Sequence, residues 1–291
     1  MEIRCVAAAA ASLGEGPLWD AARDVLWWVD IKSPTLHAHH LGSGANHAQP
    51  LPYRLTALGL AVDADLVAVG DGGFVRLSVS ADLQVSIAEV IAPLILPQDM
   101  RFNDGKVDAA GRFWAGSMEK AEVAARGSLY RLDRQRQVSV VRSKIGVPNG
   151  PCFLADGTML FTDSLRRQIA ALTLDGAGDP ISEQLFAQFT PDQGYPDGMT
   201  VDAEDHVWIA FWDGGCLRRL SRTGQVVAEI TLPVQRPTCP TFGGHHLERL
   251  FVTSATTGLS AAQRQQQPFA GGLLALDPGV VGRPSPRFAG Y

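Results

Sequence analysis

Six short apolar runs recur along the chain at nearly constant spacing, and that recurrence limits the fold more than any other feature. The pairs Leu26-Trp27, Leu66-Val67, Phe113-Trp114, Leu160-Phe161, Val207-Trp208 and Leu250-Phe251 stand 40, 47, 47, 47 and 43 residues apart. Most are followed by a turn and a further strand-like run, as in GSLYRLD, IAALTLD and GCLRRLS. Several are preceded by a hairpin signal, as in WDAARDVLWW, VDAAGRFWAG and VDAEDHVWIA, where Asp and Gly satisfy a tight turn locally. Groups of strands repeated at this period describe the blades of a β-propeller. A sandwich has no reason to keep such a period, and no sustained helical period supports an α-solenoid. The reading is all-β, a six-bladed β-propeller. Residues 2–11 are expected to add a strand to the last blade, after GGLLALD, and so fasten the ring.

The rest of the composition fits one domain spanning residues 1–291. A hydrophobic content of 46% against 19% charged residues is ample for a large core, and Gly 30 and Pro 18 are scattered rather than gathered into a linker. The net charge of −5 argues against a nucleic-acid partner, which needs a basic surface. Lys32, Lys106, Lys120 and Lys144 are dispersed, and the pairs Arg166-Arg167 and Arg218-Arg219 are expected at solvated strand edges. Cys5, Cys152, Cys216 and Cys239 show no CxxC spacing, which fits reduced thiols in a cytoplasm. The run CVAAAAA is too short and too weakly apolar for a secretory leader, and no stretch has the length of a membrane span.

Register along the repeat isolates the candidate chemistry. Glu15 lies eleven residues before Leu26, Asn103 ten before Phe113, Asn149 eleven before Leu160 and Asp197 ten before Val207. The matching segment of the second repeat, LTALG, has no ionisable group. In a propeller the innermost strands line the channel, so equivalent positions should converge at one mouth. Glu15, Asn149 and Asp197 form an all-oxygen set with two negative charges, suited to a hard divalent cation. NDG, NGP and PDG are also good turn sequences, and any one alone would be read as a turn. Glu15 does not fit that reading, since Glu is not a turn residue. The shared register favours a site.

Other residues of metal or enzyme type carry less. The sequence has no GxSxG elbow, HExxH helix or P-loop. His37, His39 and His40 are expected on an exposed outer strand, with His37 and His39 on one face, and His245-His246 at a hairpin tip. Trp27, Trp28, Trp114, Trp208 and Trp212 recur at repeat positions and are expected to pack between blades.

The segments LGEGPLWD, LWWVDI, RFNDGKVDAAGRFWAGSM, NGPCF, LFTDS, PDGMTVDAEDHVWIAFWDGG and LPVQRPTCPTFGG, with a terminal FAGY, span nearly the whole chain. Together they resemble the gluconolactonase/regucalcin (senescence marker protein) family of sugar lactonases. The resemblance implies a six-bladed propeller with one divalent ion in the channel. It places the metal ligands on Glu15, Asn149 and Asp197, and the substrate-binding pair on Arg101 and Asn103. Where the family places a substrate-contacting acid, this chain reads GSMEKAEVAARG and offers both Glu119 and Glu122. The implied reaction is hydrolysis of a gluconolactone or pentonolactone, with the ion as Lewis acid and Asp197 as ligand and general base. Ca²⁺, Mg²⁺, Mn²⁺, Zn²⁺ and Fe²⁺ all accept oxygen ligands. A calcium-binding regulatory propeller without turnover and a non-catalytic docking propeller are the alternatives, and the oligomeric state is not encoded in any legible stripe.

Overall fold

The computed structural model describes residues 2–63 and 65–290 and is a six-bladed β-propeller. Each blade is an antiparallel sheet built outward from its inner strand. The six inner strands are Gly14–Asp20, Leu55–Ala61, Met100–Val107, Pro148–Phe153, Tyr195–Val201 and Pro237–Gly243. All six apolar pairs of the repeat fall in the second strands: Val25–Asp30, Leu66–Gly70, Phe113–Glu119, Met159–Asp163, Val207–Trp212 and Arg249–Ser254. A second strand is covered on both edges and both faces, which is why its apolar run is continuous rather than alternating.

The chain divides into two compact units, each with its own interblade cores. One comprises residues 1–54 and 189–284 and holds the first, fifth and sixth blades. Here Trp208 packs with Leu217, Phe242 and Val252, and Trp28 with Trp19, Phe251 and Leu273. The N-terminal strand Ile3–Ala7 pairs antiparallel with Leu273–Leu276 and forms the outer strand of the sixth blade, as expected. The other unit comprises residues 55–188 and 285–291 and holds the second, third and fourth blades. Phe74, Phe102, Phe113 and Phe288 form one of its cores, and Trp114, Met159, Phe161 and Leu172 another. Phe288 reaches that core because Arg287–Phe288 pairs in parallel with Leu60 and Ala61.

Three hairpins between inner and second strands share one polar device. Asp202 accepts from the Glu204 and His206 backbone N–H groups (3.0 and 2.9 Å), the Trp208 indole (2.9 Å) and Arg219 Nε (2.8 Å). Asp108 accepts from Arg112 N, Arg112 Nε and the Trp114 indole at 2.9, 2.6 and 2.8 Å. Asp20 does the same more loosely, with the Trp27 indole at 3.4 Å. One carboxylate thus closes the turn and satisfies the polar edge of a buried tryptophan, whose N–H would otherwise be stranded in the core.

Three expectations need correction. His39 is buried and its Nδ1 meets Asn46 Oδ1 at 2.9 Å, because its strand is the third of the first blade and Asn46–Pro50 covers its edge. Arg218 is also buried, with its guanidinium 4.0 Å from the Phe211 ring centroid and 2.7 Å from Glu229. Trp212 is only partly buried and lies beneath Arg236. His245 and His246 do form an exposed turn. No helix among the described residues is long and apolar enough to cross a membrane.

Candidate functional site

Every inner strand breaks register with its second strand at the same place. The shifts fall between Glu15/Leu18, Leu55/Ala57, Phe102/Gly105, Asn149/Cys152, Pro196/Met199 and Pro237/Pro240. A bulge leaves a residue outside the ladder, bends the strand and re-aims a side chain. NDG, NGP and PDG are therefore bulges inside strands and not turns between them. Asn, Asp and Gly suit both, since both require local departures from extended backbone.

At this break stand Glu15, Thr56, Asn103, Asn149, Asp197 and Thr238, all at most 6% exposed. Six buried polar side chains at one position of an otherwise apolar repeat are costly unless each has a partner or a ligand. Sequence reasoning missed Thr56 and Thr238 because neither carries charge. Their signal was the same offset: Thr56 lies ten residues before Leu66 and Thr238 twelve before Leu250.

In the unit holding the first, fifth and sixth blades, the strands around Glu15 and Asp197 are fixed by close approach. The Thr238 hydroxyl donates to the carbonyl of Gly14 at 2.6 Å and so holds the residue before Glu15. Gly16 has φ 56° and donates its N–H to Glu15 Oε2 at 3.1 Å, so the bulge glycine itself steers the carboxylate. A Cβ on Gly198 would stand 2.5 Å from Cys239 Sγ and 2.9 Å from its Cα. Only glycine after Asp197 lets these neighbouring inner strands meet.

The other unit carries a continuous hydrogen-bonded chain. Arg101 Nη1 donates to Asn103 Oδ1 at 2.5 Å and to the Phe102 carbonyl at 3.0 Å. Asn103 Nδ2 donates to the Pro148 carbonyl at 2.9 Å and to Asn149 Oδ1 at 2.7 Å. Asn149 Nδ2 in turn donates to Ser164 Oγ at 2.9 Å. Because Arg101 can only donate, the direction of every bond follows, and both amides are held in one orientation. Asn149 Oδ1 uses one lone pair on Asn103 and retains the second. Beside this chain Asp104 is fully buried and accepts from Gly105 N (2.7 Å) and Gly150 N (3.0 Å). Burial pushes its carboxyl up to about 6, against the opposing pull of Lys106 and these two N–H groups.

Glu119 stands apart from that chain. It ends the second strand of the third blade, opposite Met100. Its carboxylate accepts from Val123 N, Ala124 N and Arg126 Nη1 at 3.3, 3.0 and 2.9 Å. Arg126 is shared with Asp99 and holds the Glu119 carboxyl below the usual range. Glu119 thus fastens residues 120–126, while Glu122 is exposed with φ 58°. The structure joins Arg101, Asn103 and Asn149 in one hydrogen-bonded chain and engages the Glu119 carboxylate with Val123, Ala124 and Arg126.

Comparison with known proteins agrees with this architecture. Residues 13–256 match the model of the SMP-30/Gluconolactonase/LRE-like region. A 6-deoxy-6-sulfogluconolactonase of Pseudomonas putida is 33% identical over 99% of both chains. A pentonolactonase of Haloferax volcanii is 32% identical over 99% of this chain and 98% of its own. The crystal structure of a regucalcin from Agrobacterium tumefaciens, described as a calcium-binding protein, superposes with a TM-score of 0.92 at 30% identity, covering 99% of this chain and 97% of that one. By its fold, its repeat and these matches, the chain belongs to the SMP-30/gluconolactonase/LRE-like family.

Proposed function

We propose that this protein hydrolyses a sugar lactone, an aldonolactone of the gluconolactone or pentonolactone type, to the open-chain acid, with one divalent cation held by Glu15, Asn149 and Asp197. The observation that carries the reading is the shared register of buried oxygen donors at the inner-strand bulges. The donor set fits a hard cation: two buried carboxylates and an amide oxygen turned by its own hydrogen bonds. Bound there, the ion supplies Lewis-acid stabilisation of charge developing on the lactone carbonyl.

Asp197 takes the proton from the attacking water as general base, a role worth about 10²- to 10⁴-fold in rate. Arg101 and Asn103 hold the ring hydroxyls, Arg101 as a cationic donor and Asn103 through its amide. Glu119 bears on the sugar through residues 120–126, whose conformation its carboxylate fixes. Four cysteines without a disulfide support a cytoplasmic setting. A second reading, a calcium-binding regulator without turnover, is favoured only by the calcium-binding description of the Agrobacterium relative. A docking propeller has no need of buried carboxylates at its inner strands.

The test is hydrolysis of a panel of aldonolactones before and after chelator treatment, with single metals restored and Asp197→Asn alongside. Activity that disappears on stripping, returns with an ion and is absent in the variant supports the proposal. Tight metal binding with no turnover above buffer would assign the ion a regulatory or structural role instead.

A further inference from the structure

We propose that Asp30 and Asp163 are positioning residues for the cation site: each clasps the chain just ahead of a proposed ligand, Asp30 ahead of Glu15 and Asp163 ahead of Asn149. The inference rests on the lactonase reading above and assigns to it two carboxylates that act through the backbone.

The same clasp is built twice, once in each compact unit. Asp30 ends the second strand of the first blade and pairs across the ladder with Gly14. Its Oδ2 accepts from Ser12 N at 2.7 Å and its Oδ1 from Leu13 N at 3.0 Å. Asp163 ends the second strand of the fourth blade, opposite Pro148. Its Oδ2 accepts from Gly146 N at 3.0 Å and its Oδ1 from Val147 N at 3.3 Å. In both blades the held N–H groups are those three and two residues before the ligand. In both, the residue after the aspartate closes the clasp with a backbone bond, Ile31 N to Leu13 O and Ser164 N to Val147 O, each 2.9 Å. The motifs WVDI and FTDS, which the ligand residues themselves leave unexplained, thereby acquire a role.

Burial and geometry both call for a carboxylate here. Asp30 and Asp163 are buried, and a charge at that depth persists only when its oxygens are occupied. Asp30 Oδ1 also accepts from Lys32 N and Ser33 N at 3.0 and 3.1 Å, so one side chain holds the turn after its strand and the segment before the ligand. Only a carboxylate accepts at both ends; an amide of the same shape sets an N–H against one of the two held N–H groups. Gly146 is fitted to the clasp: a Cβ there would stand 2.8 Å from Asp163 Oδ1 and 2.6 Å from Leu165 Cβ.

Position in the repeat separates this device from general reinforcement of a blade. Glu15 and Asn149 are each the last paired residue before the register break. In the third and fifth blades that place belongs to Phe102 and Pro196, and Asn103 and Asp197 stand one residue further into the bulge. There the ladder position of the aspartate is filled by Met118 and Trp212. The clasp thus accompanies the ligands whose direction is set by the two residues ahead of them. Fixing those residues orients the Glu15 carboxylate and the Asn149 amide in advance, so that binding an ion demands less ordering.

The experiment uses the full chain and Mn²⁺ as probe, with the free ion followed by electron paramagnetic resonance and lactone turnover measured in parallel. Asp30→Asn and Asp163→Asn keep the size and one acceptor oxygen, and each should lower Mn²⁺ affinity by about tenfold, the low end for partners that orient a metal ligand. Raising Mn²⁺ should restore turnover with KM for the lactone unchanged. Asp20→Ala, which weakens the first blade at its opposite end, should leave Mn²⁺ affinity at the parent value. In the metal-stripped parent the amides of Ser12, Leu13, Gly146 and Val147 should resist hydrogen exchange, a readout that needs no variant to fold. Parent affinity in either Asn variant, a raised KM, equal weakening by Asp20→Ala, or free exchange of those amides would overturn the proposal. A parent that neither holds Mn²⁺ nor opens a lactone would overturn the cation-dependent reading itself, and this inference with it.

Discussion

Replacing Asn103 by alanine tests the amide chain most directly, because three bonds end on one side chain. The substitution removes an acceptor from Arg101 and a donor from both Pro148 O and Asn149 Oδ1. A charge-assisted bond is worth about 1.5–3 kcal/mol and each neutral one about 1 kcal/mol. Arg101 keeps its bond to the Phe102 carbonyl, so its guanidinium is not stranded. The expected loss is about 3 kcal/mol. Thr56→Ala, at the same register position, loses a single long bond to Val69 O at 3.3 Å and should cost well under half as much. The assay is urea unfolding of metal-stripped protein, so that cation binding does not mask the effect.

The pairwise part of this claim is isolated by a double-mutant cycle with Asn149→Ala. The bond at 2.7 Å between the two amides should appear as a coupling of about 1 kcal/mol. With Ca²⁺ added as probe of the proposed cation site, Asn103→Ala should lower its affinity by about tenfold, since outer partners of this sort orient ligands and tune their affinity. Additivity within about 0.3 kcal/mol would mean that the amides do not act as a unit and would refute the reasoning.

Two further outcomes follow from other parts of the molecule. Asp202→Ala strands the Trp208 indole, removes the acceptor of two backbone N–H groups and leaves Arg219 with Glu204 as its carboxylate partner, and should cost about 3 kcal/mol, against about 1–2 kcal/mol for Asp20→Ala, whose indole contact is already 3.4 Å long; equal losses in urea midpoint would contradict the account of the hairpins. Asp104, raised to about 6 from an ordinary value of 3.8, holds its proton in the folded state after the unfolded chain has released it. Its contribution is thus greatest at low pH and declines by about 3 kcal/mol as pH rises through about 4 to 6. Asp104→Asn should gain stability relative to the parent across that window, and a pH-independent difference between the two would exclude the assignment.

The phase of the blades was legible because the second strand of each is enclosed on all sides, so an apolar pair such as Leu160-Phe161 marks its position without knowledge of the partners. The N-terminal strand was legible for a related reason: the terminal repeat ends one strand short. Glu15, Asn149 and Asp197 stood out because a carboxylate or amide is conspicuous where the repeat is otherwise apolar. Thr56 and Thr238 did not, although they occupy the same bulge, because a hydroxyl can be satisfied by one backbone carbonyl and leaves no imbalance of charge. The burial of His39 and Arg218 was not legible at all. It depends on Asn46 in one case and on Phe211 and Glu229 in the other, partners that only the folded blade brings alongside. Glu119 was visible as a carboxylate in the right segment, but its attachment to Val123, Ala124 and Arg126 is a property of the loop conformation.

The bulge explains how one repeat can carry different chemistry in different blades. It occurs in all six inner strands, including those with Thr56 and Thr238, so it belongs to the scaffold and does not depend on a ligand residue. What varies is the side chain it presents and the support behind that side chain. Behind Asn149 stand Asn103 and Ser164; behind Glu15 stand Gly16 and, through Gly14, Thr238. Thr56 bonds within its own blade, to the Val69 carbonyl, whereas Thr238 reaches the first blade at Gly14, and Asn149 is oriented by Asn103 of the third blade together with Ser164. Substitution at the presented residue can therefore alter the chemistry without altering the blade, whereas substitution at the supporting residues should disturb both.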